Sequence, residues 1–162
     1  MLKELIQDGY GIKEDLNCAE IILGGANQVY HLNLNSDSLR LAAAFGGGMA
    51  IESICGVLTA SLMVLGKLFV PDIAHKHPEI KELSKELFDI FEKEMGDILC
   101  KPLKDNYRTE EKKCREVILK AAEILDKIVA RELKNLSKDR PLTNPYLVKR
   151  CRKTGFLGNK TL

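Results

Sequence analysis

One stretch constrains this chain more than any other. From Ile54 to Phe69 the residues are apolar nearly all round, with Val57, Leu58, Ala60, Leu62, Met63, Val64, Leu65 and Leu68. A segment of that kind is a helix enclosed by protein or by lipid. Length decides between the two. Only 14 residues lie between Glu52 and Lys67, three of them Ser or Thr, and three glycines block extension upstream, whereas a membrane span needs roughly 20 apolar residues. The segment therefore reads as the central helix of a protein core, and no membrane insertion is expected.

A core helix needs other helices around it, and the flanking sequence supplies them. Leu2, Leu5 and Ile6 share a helical face that ends at Gly9-Tyr10-Gly11. Asn17 followed by Glu20 is an Asn version of the capping box and opens a helix through Ala19, Ile21, Ile22, Leu23 and Ala26 toward Tyr30. Inside it, Gly24-Gly25 marks a close helix approach. Asp37 to Phe45 reads as a short helix closed by Gly46-Gly47-Gly48. His77-Pro78 starts an amphipathic helix carrying Ile80, Leu83, Leu87, Phe88, Phe91, Met95, Ile98 and Leu99, and its expected end lies near Cys100 and Pro102. A last helix, capped by Thr109, carries Cys114, Val117, Ile118, Ala121, Ala122, Leu125, Ile128, Val129, Leu133 and Leu136 on one broad face. No run alternates with period two for long enough to be a strand. The expectation is an all-α, single-domain bundle of about five helices over residues 1–137, followed by an extended basic tail over 138–162. Pro141, Pro145 and Gly155 leave that tail room for at most a short helical piece around Tyr146 to Cys151.

Charge excludes some partners. Lys and Arg number 25 against 23 Asp and Glu, a net charge of +2, which is too small to imply nucleic acid as a principal partner. The basic residues of the tail (Lys138, Arg140, Lys149, Arg150, Arg152, Lys153 and Lys160, against Asp139 alone) read as a solvated terminus.

The cysteines carry the chemistry. Five of them, at positions 18, 55, 100, 114 and 151, are too few and too odd in number for a secreted disulfide scaffold. Met1 to Tyr10 has no apolar run of the kind that a secretory signal needs. The expected compartment is cytoplasmic and reducing, where cysteines are thiols, metal ligands or transient redox partners. No Cys-x-x-Cys pair is present, so spacing alone announces no metal site, and without Cys-x-x-Cys-His covalent haem is not expected. Cys18 follows the cap Asn17, and Cys55 falls at the start of the core helix. Both belong in first helical turns, where unpaired N–H groups and the positive dipole end favour thiolate. Cys114 falls one turn into its helix and Cys100 at a helix end. Gly46, Gly47 and Gly48 let backbone N–H groups approach an anion, a cluster sulfur or a cofactor, or else form a plain turn. No P-loop or G-x-G-x-x-G pattern accompanies them. His75 and His77 read as solvated loop residues with a weaker reading as ligands. Glu52 is either a hydrogen-bond partner for the thiols or part of the cap of the core helix, while Thr59 and Ser61 bond back to helix carbonyls.

Taken together, Asn-Cys-Ala-Glu (17–20), Phe-Gly-Gly-Gly-Met (45–49), Cys-Gly-x-x-Thr-Ala (55–60), Leu-Met-Val-Leu-Gly (62–66), Cys100 and Cys114 resemble the C_GCAxxG_C_C family, described as redox-active. The resemblance covers about residues 12–130. It implies a small helical prokaryotic protein in which Cys18, Cys55, Cys100 and Cys114 converge on one redox or metal site, while Cys151 has no family counterpart. The function this implies is electron transfer or thiol–disulfide exchange, through an iron–sulfur cluster, zinc or a plain dithiol, with a redox partner protein or small electron carrier and a possible homodimer. Two other readings stand beside it. One is a non-catalytic helical interaction domain with packed cysteines, and the other is an enzyme with a single nucleophilic cysteine. Whether the chain is an enzyme is left open.

Overall fold

The computed structural model describes residues 1–139. The tail beyond Asp139, with Cys151 and the helical piece expected at Tyr146–Cys151, lies outside them. Seven α-helices make up the described part: α1 (Leu2–Gln7), α2 (Cys18–Val29), α3 (Ser36–Arg40), α4 (Gly56–Phe69), α5 (Glu79–Met95), α6 (Cys100–Tyr107) and α7 (Arg115–Asp139). The all-α expectation holds. The helix count is higher than the expected five, and α7 runs past the expected boundary at 137.

At the centre lies α4, as its composition requires, packed on α2, α5 and α7. Val57, Leu58, Ala60, Val64 and Leu65 are wholly buried. Ser61 escapes the cost of burying a hydroxyl by donating to the Val57 carbonyl at 2.7 Å, and Thr59 does the same to Gly56 at 3.0 Å. No helix among the described residues is long and apolar enough to cross a membrane.

The Gly24-Gly25 pair earns its place through packing. A Cβ on Gly24 would meet the Tyr10 hydroxyl at 2.4 Å, and one on Gly25 would meet Leu2 Cδ1 at 2.7 Å. Glycine alone lets α1 and the turn after it lie this close to α2. A buried carboxylate completes the junction. Asp126 of α7, 6% exposed, accepts from the backbone N–H groups of Leu2 (3.0 Å) and Lys3 (2.9 Å) and from the Tyr30 hydroxyl (2.5 Å). It thereby caps the N-terminus of α1 from a helix more than a hundred residues distant in sequence.

Three boundaries differ from the sequence reading. Asp37 to Phe45 is not one helix: α3 ends at Arg40 and a separate 3₁₀ turn covers Ala43–Phe45. The amphipathic helix α5 stops at Gly96, which takes φ +83°, and Asp97 then accepts from the Leu99 N–H at 2.7 Å. A new helix, α6, starts at Cys100. The apolar spacing of Ile98 and Leu99 continued the helical pattern past a break that only the glycine signals. Finally, Thr109 caps a closed turn rather than a helix. Its hydroxyl accepts from Lys112 at 3.0 Å and its backbone pairs with that of Lys113, so α7 begins only at Arg115.

Candidate functional site

These shifted boundaries move two cysteines. Cys100, expected at a helix end, is the first residue of α6. Cys114, expected one turn inside a helix, immediately precedes α7, and its carbonyl accepts the helix's opening bond from Ile118 at 3.0 Å. Cys18 is the first residue of α2 and Cys55 the N-cap of α4, as the sequence suggested. All four therefore stand at helix N-termini, where unpaired N–H groups favour negative charge on sulfur.

The glycine segment holds these helix starts together. Asn17 accepts from Ala19 (2.9 Å) and Glu20 (3.2 Å) while Glu20 returns a bond from the Asn17 N–H at 2.9 Å, which completes the expected capping box. The Asn17 amide also donates to the Ala43 carbonyl at 3.0 Å. A Cβ on Gly46 would lie 2.8 Å from the Asn17 amide carbon, so this glycine lets the chain pass close over the cap. Gly47, Gly48, Met49, Ala50 and Glu52 all carry positive φ, between 58° and 64°. For the three that are not glycine this left-handed backbone costs roughly 1–2 kcal/mol each. The turn is tied down behind itself: Ser53 donates to the Gly48 carbonyl at 3.1 Å, Cys100 to the Ser53 carbonyl at 2.7 Å and Cys55 to the Ile98 carbonyl at 2.9 Å. These last two bonds flank an antiparallel bridge between Ile54 and Leu99. The bridge thereby ties the start of α4, with Cys55, to the start of α6, with Cys100.

Within this frame the Cys18 sulfur sits against the start of α4, beside Cys55. Besides the Cys55 thiol, Cys18 sulfur takes the backbone N–H groups of Gly47, Ala19 and Cys18 itself, and together these overcome burial to bring its pKa from the ordinary 9.0 down to about 7. Cys55, 4% exposed, moves the other way. It gives its proton to the Cys18 bond, and burial and the neighbouring charge also hold it protonated, against the help of only the Val57 N–H. A Cβ on Gly56 would lie 2.7 Å from Cys18 sulfur and from the Phe45 carbonyl oxygen, and one on Gly48 would lie 2.7 Å from Cys100 Cβ. The glycines of the motif are thus what allows the sulfurs to approach.

Cys100 is also 4% exposed. Burial raises its pKa, opposed by the Lys104 ammonium and reinforced by Cys18, Cys114 and Glu52. Cys114 is half-buried, and Arg108 Nη1 donates to its sulfur at 3.9 Å. Arg108 and Lys104 had no motif to reveal them; their role follows from α6, a helix the sequence pattern concealed. Glu52 pairs with Lys104 at 3.0 Å rather than with a thiol. His77 lies beyond the far end of α4, bonded to Asp72 at 2.9 Å. Among the described residues no group of three or more Cys, His, Asp or Glu is gathered so as to hold a metal ion.

No curated protein and no solved structure matches this chain. A family model described as "Putative redox-active protein (C_GCAxxG_C_C)" does, over residues 16–128, a span that holds all four helix-start cysteines and the whole glycine turn. The chain belongs to the C_GCAxxG_C_C family.

Proposed function

We propose that the protein is a thiol–disulfide redox protein whose working pair is Cys18 and Cys55. The observation that carries this reading is the placement of the two cysteines at the N-termini of packed helices, where a Cβ on Gly56, the residue after Cys55, would lie 2.7 Å from the Cys18 sulfur, with Cys18 shifted toward thiolate and Cys55 held as thiol. A thiolate is the attacking species in disulfide exchange, and a second thiol within reach releases the product. The Cys18 thiolate attacks a disulfide of a protein or small carrier and displaces one of its sulfurs as thiolate. Cys55 then attacks Cys18 sulfur, gives up its proton and displaces the other. One S–S bond forms as one is reduced, and two electrons pass to the partner. The glycine turn supports the thiolate through the Gly47 N–H, a role the backbone performs without any added group.

The pH dependence of alkylation tests this. The rate at Cys18 should rise through a midpoint near pH 7, because the thiolate is the reactive form and its fraction grows as pH passes the pKa. Cys55→Ala removes the donor and should move that midpoint upward. An oxidising disulfide should convert Cys18 and Cys55 to a mapped disulfide. Thiols that stay inert near neutral pH and unpaired under oxidant would leave the packed interaction domain as the better account.

A further inference from the structure

Most of the large apolar side chains left in solvent among the described residues belong to segments that meet around Cys18. Leu41, Met49, Ile51 and Leu99 are exposed, Leu41 at 71% and Ile51 at 76%. Leu41 comes just before Ala43, whose carbonyl takes the Asn17 amide at 3.0 Å. Met49 and Ile51 lie in the glycine turn, and Leu99 precedes α6, which packs on that turn as the 3₁₀ turn at Ala43–Phe45 does. The Cys18 sulfur adjoins the same 3₁₀ turn, since one point, the Cβ position at Gly56, is 2.7 Å from both that sulfur and the Phe45 carbonyl oxygen. Cys18 is partly exposed and Cys55 is buried. Two properties of this surface are not needed for folding. Residues 41–51 (Leu-Ala-Ala-Ala-Phe-Gly-Gly-Gly-Met-Ala-Ile) carry no charged or hydrogen-bonding side chain, and the charges at their two borders are already paired, Arg40 with Asp37 at 2.7 Å and Glu52 with Lys104 at 3.0 Å. Met49 and Ala50 also hold left-handed backbone, at φ 59° and 61°, with both residues exposed, where glycine or asparagine would fit without strain. Exposed apolar surface bordered by paired charges marks an interaction site, and backbone strain concentrates at such sites.

We infer that this apolar surface docks the partner of the proposed thiol pair, and that the partner is a polypeptide with uncharged, apolar side chains on either side of its own disulfide. The inference rests on the Cys18–Cys55 reading and names the substrate class for it. Charge decides between a polypeptide and a small carrier. A small charged disulfide such as oxidised glutathione is held through its carboxylates and amines, and neither charge bordering residues 41–51 is free to pair with them. A polypeptide segment instead brings apolar side chains, whose burial against Leu41, Met49, Ile51 and Leu99 supplies the attraction. Side chains next to the disulfide then hold its sulfurs at Cys18, which turns a chance encounter into a positioned one. A second copy of this chain seated there would cover Cys18 itself and close the route to any other disulfide. The exchange is unchanged. The Cys18 thiolate displaces one partner sulfur, Cys55 gives up its proton and displaces the other, and two electrons pass to the partner as the Cys18–Cys55 bond forms.

The test is single-turnover oxidation of the fully reduced, full-length protein, followed by acid quenching, alkylation and mapping of the Cys18–Cys55 disulfide. Three oxidants are compared: a short peptide closed by one disulfide with leucines flanking both cysteines, the same peptide with serines there, and oxidised glutathione. The leucine peptide should react on the order of tenfold or more faster than the other two. Ile51→Ser and Met49→Ser should each cut that advantage several-fold. Ile73→Ser, at another exposed side chain beyond the far end of α4, should preserve it. The advantage is a ratio of rates within one protein, so a loss of stability in a variant does not imitate the result. Equal rates with all three disulfides, or an advantage that survives in Ile51→Ser and Met49→Ser, overturns the docking surface and leaves the proposed function standing, because the Cys18–Cys55 disulfide still forms. A stable dimer, or adhesion to phosphatidylcholine vesicles, that Ile51→Ser abolishes also overturns it, by assigning the surface to a second copy or to lipid. Reduced protein that none of the three oxidises at Cys18 and Cys55 removes both.

Discussion

Cys18 and Cys55 are the same residue type at neighbouring helix starts, yet their thiols shift in opposite directions: their mutual interaction lowers Cys18 and raises Cys55, and backbone N–H groups of Gly47, Ala19 and Cys18 add to the lowering while burial adds to the raising. The glycines of the turn beside Cys18 act in different ways. Gly47 has open space around its Cα but a φ of +64°, whereas Gly48 combines φ +62° with backbone atoms of Ser53 and the Cys100 side chain within 2.8 Å of any Cβ. Gly47→Ala should therefore cost about 1 kcal/mol, the left-handed penalty alone. Gly48→Ala should cost clearly more, on the order of 3 kcal/mol, because backbone must move as well. Urea unfolding of the two variants checks the order, and equal losses would contradict it. The placement of Cys18 and Cys55 at helix starts was legible in the sequence because a cap and an apolar run mark where those helices begin. The opposite shifts of the two thiols were not, because they arise from the meeting of residues 37 positions apart in sequence.

Among the elements, the most legible were those whose local chemistry and burial agree. The Asn17–Glu20 capping box opens α2 at the expected residue, and the uninterrupted apolar run of α4 became the centre of the core. The reading failed where two signals competed. Apolar spacing at Ile98 and Leu99 outweighed Gly96, and a good cap residue at Thr109 closed a turn instead of opening α7. As a result α6 went unseen, and with it the reason Cys100 and Cys114 stand at helix starts. Long-range capping was equally invisible: nothing local links Asp126 to α1. Asp126→Ala should strip the Leu2 and Lys3 N–H groups of their acceptor and cost about 1–3 kcal/mol for each buried group so orphaned. Tyr30→Phe removes one bond to the same carboxylate and should cost about 1 kcal/mol. Denaturant midpoints measure both, and hydrogen exchange at Leu2 and Lys3 should accelerate in the first variant only.

At the scale of the whole molecule, oxidation becomes a question of stability as well as of reactivity. Joining Cys18 to Cys55 ties the start of α2 to the start of α4 and removes from the unfolded chain the freedom of the loop between them. That loop closure is worth about 4 kcal/mol in the chain-entropy account. The oxidised protein should unfold at distinctly higher urea concentration than the reduced one, and the increment should vanish in Cys55→Ser. Equal midpoints for the oxidised and reduced forms would mean that the native packing must distort to accommodate the bond.

The same connection has a topological consequence. Once Cys18 and Cys55 are joined, α3 and the glycine turn lie on a covalent ring. A protease that cuts the exposed chain around Leu41 then opens the ring without separating the pieces, while the same cut in the reduced protein leaves two fragments that only packing holds together. The fragment pattern on a denaturing gel thus records the redox state in which the protein met the protease.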